Sequence, residues 1–174
     1  MPPPEIDPAS GVMRMGAELI ERAIEMSRAS PRKRIILPFH RAASESPHRM
    51  LNALQPGTYI RPHRHSAPQK FESIVVLRGA IGYVTFDATG RVTGHFPVRA
   101  QREDFGVDTG PQVFHTFIAL EPDTVVFEVK TGPYSEANDK DMAAWAPEED
   151  DPLSAAYLGM LSQYFSESAT DEHR

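Results

Sequence analysis

Between Arg34 and Lys130 the chain is divided into short β-rich pieces. RIILPFH, HRMLNAL, TYIRPHRH, ESIVVL, AIGYVTFD, TGHFPV, VFHTFIAL and TVVFEV are dense in β-branched and aromatic residues. Turn signals separate them: QPG, LRG, DATG, DTGP and EPD. Many short strands with frequent turns and no helices between them predict an all-β sandwich or barrel. DATGR, between YVTF and VTGHF, predicts a hairpin.

The flanks differ. In residues 12–29, Met15, Leu19, Ala23 and Met26 recur at helical spacing with Ile20 and Ile24 beside them, predicting an amphipathic helix that ends at Ser30-Pro31. After Gly132-Pro133 the text turns acidic. Pro152 suits the first turn of a last helix capped by Asp151, with Tyr157, Leu158, Leu161 and Phe165 as its buried stripe. The expected organisation is a loose Pro-rich start (1–11), a helix packed on the barrel (12–34), the barrel (35–134), an extension with a helix (135–165) and a polar tail (166–174).

The length of 174 residues fits one domain with a real core. A net charge of −6 argues against nucleic acid as a partner. No apolar run approaches the length of a membrane span. The start, MPPPEIDPASG, lacks the basic and apolar regions of a secretory signal. With no cysteine, disulfides are excluded and any metal must be held by His, Asp or Glu. A cytoplasmic protein is expected.

The stretch RPHRHSAPQKFE carries the candidate chemistry. On a strand, Tyr59, Arg61, His63 and His65 share one face, so both imidazoles reach one ion. A loop then reverses the chain, and Glu72 returns to that face if the flanking strands pair. His115, after the turn at Gly110-Pro111, is the candidate fourth ligand. Three imidazoles and a carboxylate suit Fe(II), Mn, Co, Ni or Zn and leave two octahedral positions open. An HxH pair alone is a weak signal. His40, His48, His95 and His173 have no partner at ligand spacing. Arg61 is either a phosphate or carboxylate clamp or a surface charge; its neighbour Pro62 argues for an edge or bulge.

VFHTFIAL and TVVFEV, joined by EPD, read as a last hairpin with two open registers. In one, Phe117 faces Glu128 and His115 faces Lys130, so Glu128 and Lys130 point at the metal as an acid/base couple. Phe127 and Val129 then form an outer apolar patch that needs a helix or a second subunit as cover. In the other, Glu128 and Lys130 sit in water.

These residues resemble the first cupin motif: Gly57-TYIRP-His63-Arg-His65-SAPQKF-Glu72-SIVVLR-Gly79. Gly110-PQVF-His115 resembles the second with altered spacing, and Ala119 stands where that motif has asparagine. The phrases YIRPHRH, KFESIVVLRG, FHTFIALEPDTVVFEVKTGPY, DKDMAAWAPEE and AAYLGML resemble the WbuC-type cupin fold metalloproteins over about Leu19 to Gln163. The resemblance implies a mainly β, double-stranded β-helix (cupin or jelly-roll) barrel with an N-terminal helix and a C-terminal helical segment. It maps one divalent transition metal onto His63, His65, Glu72 and His115, and places Glu128, Lys130 and Tyr134 in a family-like phrase. It associates the chain with bacterial surface polysaccharide (O-antigen) synthesis.

Three functions follow as expectations. The first is a metal-dependent isomerase or epimerase of a sugar or sugar nucleotide, with Glu128 and Lys130 catalytic and Arg61, Tyr59 and Tyr134 holding substrate. The second is an Fe(II) dioxygenase, and the third a non-catalytic carbohydrate-binding module. A homodimer is expected.

Overall fold

The computed structural model describes residues 11–65, 70–132 and 140–166. Among the described residues, ten strands and two helices follow in order: α1 (Ala17–Ala29), β1 (Arg34–Pro38), β2 (His48–Leu54), β3 (His63–Arg64), β4 (Glu72–Arg78), β5 (Ala80–Phe86), β6 (Val92–Arg99), β7 (Gly106–Thr109), β8 (Phe114–Ala119), β9 (Thr124–Lys130), β10 (Asp141–Met142) and α2 (Ser154–Gln163). They form two five-stranded antiparallel sheets, β1-β2-β9-β4-β7 and β10-β3-β8-β5-β6, packed face to face as a jelly roll.

Strand alternation builds the interior. Leu54, Ile74 and Val126 from the first sheet meet Ile81, Tyr83 and Phe117 from the second in one buried cluster. On β9 the even positions, Val126, Glu128 and Lys130, turn inward, while Val125 and Phe127 turn outward. α1 covers that outer face: Ala23 and Ile24 are buried against Leu51, Ala53 and Val125, and Phe39 stacks on Phe127 at 6.0 Å. Burying Ile24 alone contributes about 2–3 kcal/mol. The outer patch foreseen on β9 is thus closed within the chain, which removes that argument for a second subunit. α2 covers the second sheet, placing Leu158 on Ile118 and Leu161 on Val84 and Phe86.

Several expectations need correction. The first helix begins at Ala17 rather than near residue 12, because Gly16 is extended and Val12 and Met15 are exposed rather than part of a buried stripe. The last helix begins at Ser154, after a turn in which Asp151 Oδ1 accepts from the Leu153 amide at 2.8 Å. β8 and β9 do not form a hairpin. β8 lies between β3 and β5, and β9 between β2 and β4, so residues 120–123 cross from one sheet to the other. β3 and β4 do not pair either; they too lie on opposite sheets. The DATGR hairpin forms as predicted, joining β5 to β6.

Gly79 makes the other abrupt crossing, between β4 and β5 on different sheets. Its φ is +73°, and an added Cβ would lie 2.5 Å from Thr124 Oγ1 and 3.0 Å from Thr124 Cα. Glycine is required there both by conformation and by space.

Candidate metal centre

The interior changes character along its length. One end is aliphatic. At the other, residues on the same inward parity are polar: Asn52 on β2, Glu72 on β4, Glu128 and Lys130 on β9, His63 on β3 and His115 on β8. His63 and His115 are partners across β3–β8, and His65 follows directly after β3. Glu72 arrives from the opposite sheet. All four side chains are buried, and one potential ligand atom from each lies within 4.8 Å of the others. With metal–ligand bonds of about 2.1 Å, opposite ligands of one ion stand about 4.2 Å apart, so the four need only a small contraction.

Hydrogen bonding sets the tautomers. His63 Nδ1–H donates to Arg61 O at 3.0 Å, and His115 Nδ1–H donates to Val113 O at 2.9 Å. A carbonyl only accepts, so each Nε2 keeps a lone pair directed inward. His115 Nε2 faces Glu72 Oε2 at 3.1 Å, and His65 Nε2 faces Glu72 Oε1 at 3.4 Å. Lone pairs converging on a carboxylate need a cation between them, either a proton or a metal ion. His63 Nε2 is buried with no hydrogen-bond partner. An orphaned imidazole nitrogen beside a converging carboxylate fits a metal ion, and the nitrogen and oxygen donors suit a divalent transition metal. The Tyr83 ring lies almost parallel to His115 at 5.7 Å, with its hydroxyl 2.6 Å from Thr109 Oγ1, and so fixes the imidazole plane.

The electrostatics agree. Burial, then the charges of Lys140 and His115, hold His63 well below the usual histidine range, outweighing the pull of Glu72. The imidazole is therefore held neutral, the form a metal site requires. Burial alone would raise the Glu72 carboxyl, but the close approach of the His115 and His65 ring nitrogens and nearby imidazole charge hold it well below the carboxylate range. Glu128 goes the other way. Burial, then the adjacent Glu72 charge, push it up to about 8 against Lys140 and Lys130. Two neighbouring carboxyls with opposite shifts are a pattern of acid/base sites.

A cavity of about 450 Å³ opens beside His63 and Glu72. Glu128, Lys130 and Asn52 line its floor; Ile36, Met142 and Lys140 stand around it. Glu128 and Lys130 therefore face the metal cluster, although the reason is the sandwich and not a hairpin register. Arg61 and Tyr59 do not line this cavity. The Arg61 guanidinium donates to Ala143 O at 2.9 Å and pairs with Glu148 at 3.3 Å, while the Tyr59 hydroxyl donates to Pro147 O at 2.9 Å. The segment before His63 is not strand, so the alternation that put all four side chains on one face stops short of it. Tyr134 and His173 lie outside the described residues.

Asn52 and Lys140 are among the cavity residues that were not foreseen, as are Arg32, Arg34 and Glu149. Asn52 donates from Nδ2 to Glu128 Oε2, and its Oδ1 is buried without a partner. Its signal in the sequence is a polar residue at an inward position of HRMLNAL, between Met50 and Leu54. Lys140 is brought in by β10, which pairs with β3 and is too short to show any periodicity. Of the other histidines, His40 and His48 stack on each other at 4.0 Å and neither belongs to the cluster.

The fold and this His/Glu cluster define a cupin-type barrel with a metal-site-like group at its centre. The pattern of a domain family described as a domain of unknown function, DUF6016, matches residues 15–98. No sequence among the curated proteins matches the chain. Among solved structures, the chain is similar to the capsular polysaccharide assembling protein CapF from Staphylococcus aureus, at 16% identity and a TM-score of 0.51. The match covers 62% of this chain and 31% of CapF. It is also similar to the L-ribose isomerase of Cellulomonas parahominis, at 17% identity and a TM-score of 0.50, over 65% of this chain and 70% of that one. KdgF from Halomonas sp. matches at 17% identity with a TM-score of 0.44, over 60% of this chain and 82% of KdgF. The likenesses to CapF and the isomerase establish the fold. Among the described residues no helix is long and apolar enough to cross a membrane.

Proposed function

We propose that the protein is a metal-dependent enzyme that isomerises or epimerises a sugar or sugar nucleotide, serving bacterial surface polysaccharide synthesis as a WbuC-type cupin. The observation that carries the catalytic reading is that Glu128 and Lys130 line one cavity with His63 and Glu72, two members of the His63, His65, Glu72 and His115 cluster. A purely structural metal would need no second buried acid/base couple beside it, since uncompensated buried charge is costly. The run of WbuC-like phrases supports the pathway. Two proteins of similar fold are a capsular polysaccharide assembling protein and an L-ribose isomerase, which agrees with sugar chemistry.

His63, His65, Glu72 and His115 would hold the ion, which supplies polarisation of a substrate carbonyl or hydroxyl pair. Glu128 takes or returns the proton on the reacting carbon. Asn52 fixes one carboxyl oxygen of Glu128, whose side chain lines the cavity. Lys130, beside it, supplies the compensating positive charge. The surrounding apolar side chains, Ile36, Leu54 and Phe117 among them, limit water at the reacting centre.

The test is a screen of metal-loaded protein against sugars and sugar nucleotides, read by product formation and thermal shift. Turnover that disappears in Glu128→Gln supports the proposal. Neither turnover nor a thermal shift across the panel refutes it, and oxygen uptake by iron-loaded protein would replace it with the dioxygenase reading.

A further inference from the structure

The protein is acidic overall, with a net charge of −6, yet its cavity is not. Four cationic side chains, Arg32, Arg34, Lys130 and Lys140, line it against three carboxylates, Glu72, Glu128 and Glu149. With all seven ionised, the cavity carries one positive charge in excess; a protonated Glu128 would raise the excess to two, and a bound divalent ion would add two more. The charges are not equally committed. Arg32 and Arg34 both bind Glu149, at 2.7 and 2.5 Å, and Arg34 also donates to Tyr59 O at 2.7 Å. Lys130 stands directly across the β4–β9 pair from Glu72. Lys140 has no carboxylate of its own at ion-pair distance among the described residues; it is half-buried and lines the cavity.

Asn52 supplies the second observation. It is 6% exposed, it lines the cavity, and its Oδ1 accepts nothing while Nδ2 is occupied by Glu128. A buried carbonyl oxygen with its partner missing calls for a donor from whatever fills the cavity. Metal ions and carboxylates do not donate there; a hydroxyl does.

We infer that the cavity selects a polyhydroxylated anion, whose acidic group, a carboxylate or a phosphate, is met by Lys140 and one of whose hydroxyls donates to Asn52 Oδ1. A volume of about 450 Å³ accommodates a monosaccharide-sized acid or sugar phosphate. A single-signed excess of charge in a low-dielectric cleft favours an anion both in encounter and in binding. Phe117 and Ile36 supply the apolar walls against which a sugar ring's C–H faces pack. The inference rests on the cavity being the substrate site and narrows that substrate to an anion.

The test uses the full chain reconstituted with zinc and three probes in calorimetry: D-glucose, D-gluconate and D-glucose 6-phosphate. At least one of the two anions is expected to bind ten-fold or more tightly than glucose, and which one does so distinguishes carboxylate from phosphate. Lys140→Met should abolish that preference and Lys140→Arg should retain it. Asn52→Leu should weaken the preferred sugar anion about ten-fold while leaving acetate or inorganic phosphate binding unchanged, which a merely misfolded cavity would not do. Glucose binding as well as the anions, no binding of either anion, or full affinity in Lys140→Met each overturns the inference. Zinc content measured on the same samples separates the two levels of the argument. Zinc bound without charge preference removes only the anion, whereas a protein that takes up no zinc removes the metal-dependent reading as well.

Discussion

Glu72 Oε2 lies 3.1 Å from His115 Nε2, and the two residues belong to different sheets. The contact joins the halves of the sandwich at its polar end, where neither partner has water to fall back on. Both are buried, at 2% and 0% exposure. Whatever cation sits between them therefore decides whether this end of the interior is stable.

Metal should accordingly stabilise the fold. Saturation about a thousand-fold above the dissociation constant adds roughly 4 kcal/mol, or about 10 °C in Tm for a chain of this size. His63→Ala with His65→Ala should lose the bound ion and that increment together. Metal analysis and thermal melts with and without a chelator check this, and a double variant that keeps its metal would contradict the ligand assignment.

Glu128→Gln should keep the fold and the metal, since Asn52 Nδ2 can donate to the new amide oxygen as it does to the carboxylate. The rate on any substrate found should fall about 10²-fold or more, the contribution of a general acid/base group. Lys130→Met should also reduce the rate. Steady-state kinetics beside metal content give the answer, and unchanged kcat in both variants would remove the couple from the mechanism.

Asp87, outside the His/Glu cluster, makes a pH-dependent contribution. In the β5–β6 turn its carboxylate accepts from the Thr89 hydroxyl at 2.7 Å and from the Thr89 and Arg91 amides at 2.9 and 3.0 Å. The Thr89 hydroxyl, then these amides and the Arg91 charge, overcome desolvation and hold the carboxyl at about 2. The folded value lies below the unfolded one near 3.9, so the stabilisation is complete above that pH and is lost as pH falls through about 2. A carboxyl-carbon NMR titration should give a midpoint near 2 for Asp87; a midpoint near 4 would refute the turn geometry.

Gly79→Ala should cost about 2 kcal/mol or more, combining a left-handed backbone with a methyl group driven into Thr124. Urea unfolding measures it. Thr124 cannot step aside, because its Oγ1 is held by the Ala80 amide at 3.2 Å and the Glu121 carbonyl at 2.8 Å. A loss below a few tenths would mean the crossing relaxes freely.

Much of this was legible in the chain's own text. Alternation alone placed His63 with His65 and His115 with Phe117, because period two is a property of any strand. It failed where strands end: Tyr59 and Arg61 precede β3 and turn away to Pro147, Ala143 and Glu148. The hairpin drawn between β8 and β9 failed because EPD reads alike whether the chain folds back in one sheet or crosses to the other. Glu128 and Lys130 nevertheless face inward, since the sandwich imposes the same parity as one of the two registers considered. Lys140 was illegible, as two residues of β10 carry no pattern and their pairing with β3 is wholly tertiary.

The two sheets divide the labour. Every imidazole in the cluster comes from the β3–β8 side, and every carboxylate, with Lys130 and Asn52, from the β2–β9–β4 side. An ion gripped by both works as a rivet through two plates. Sliding one sheet past the other by even a fraction of a strand step would pull imidazoles from carboxylate, so shear between the plates and loss of the ion become the same mechanical event.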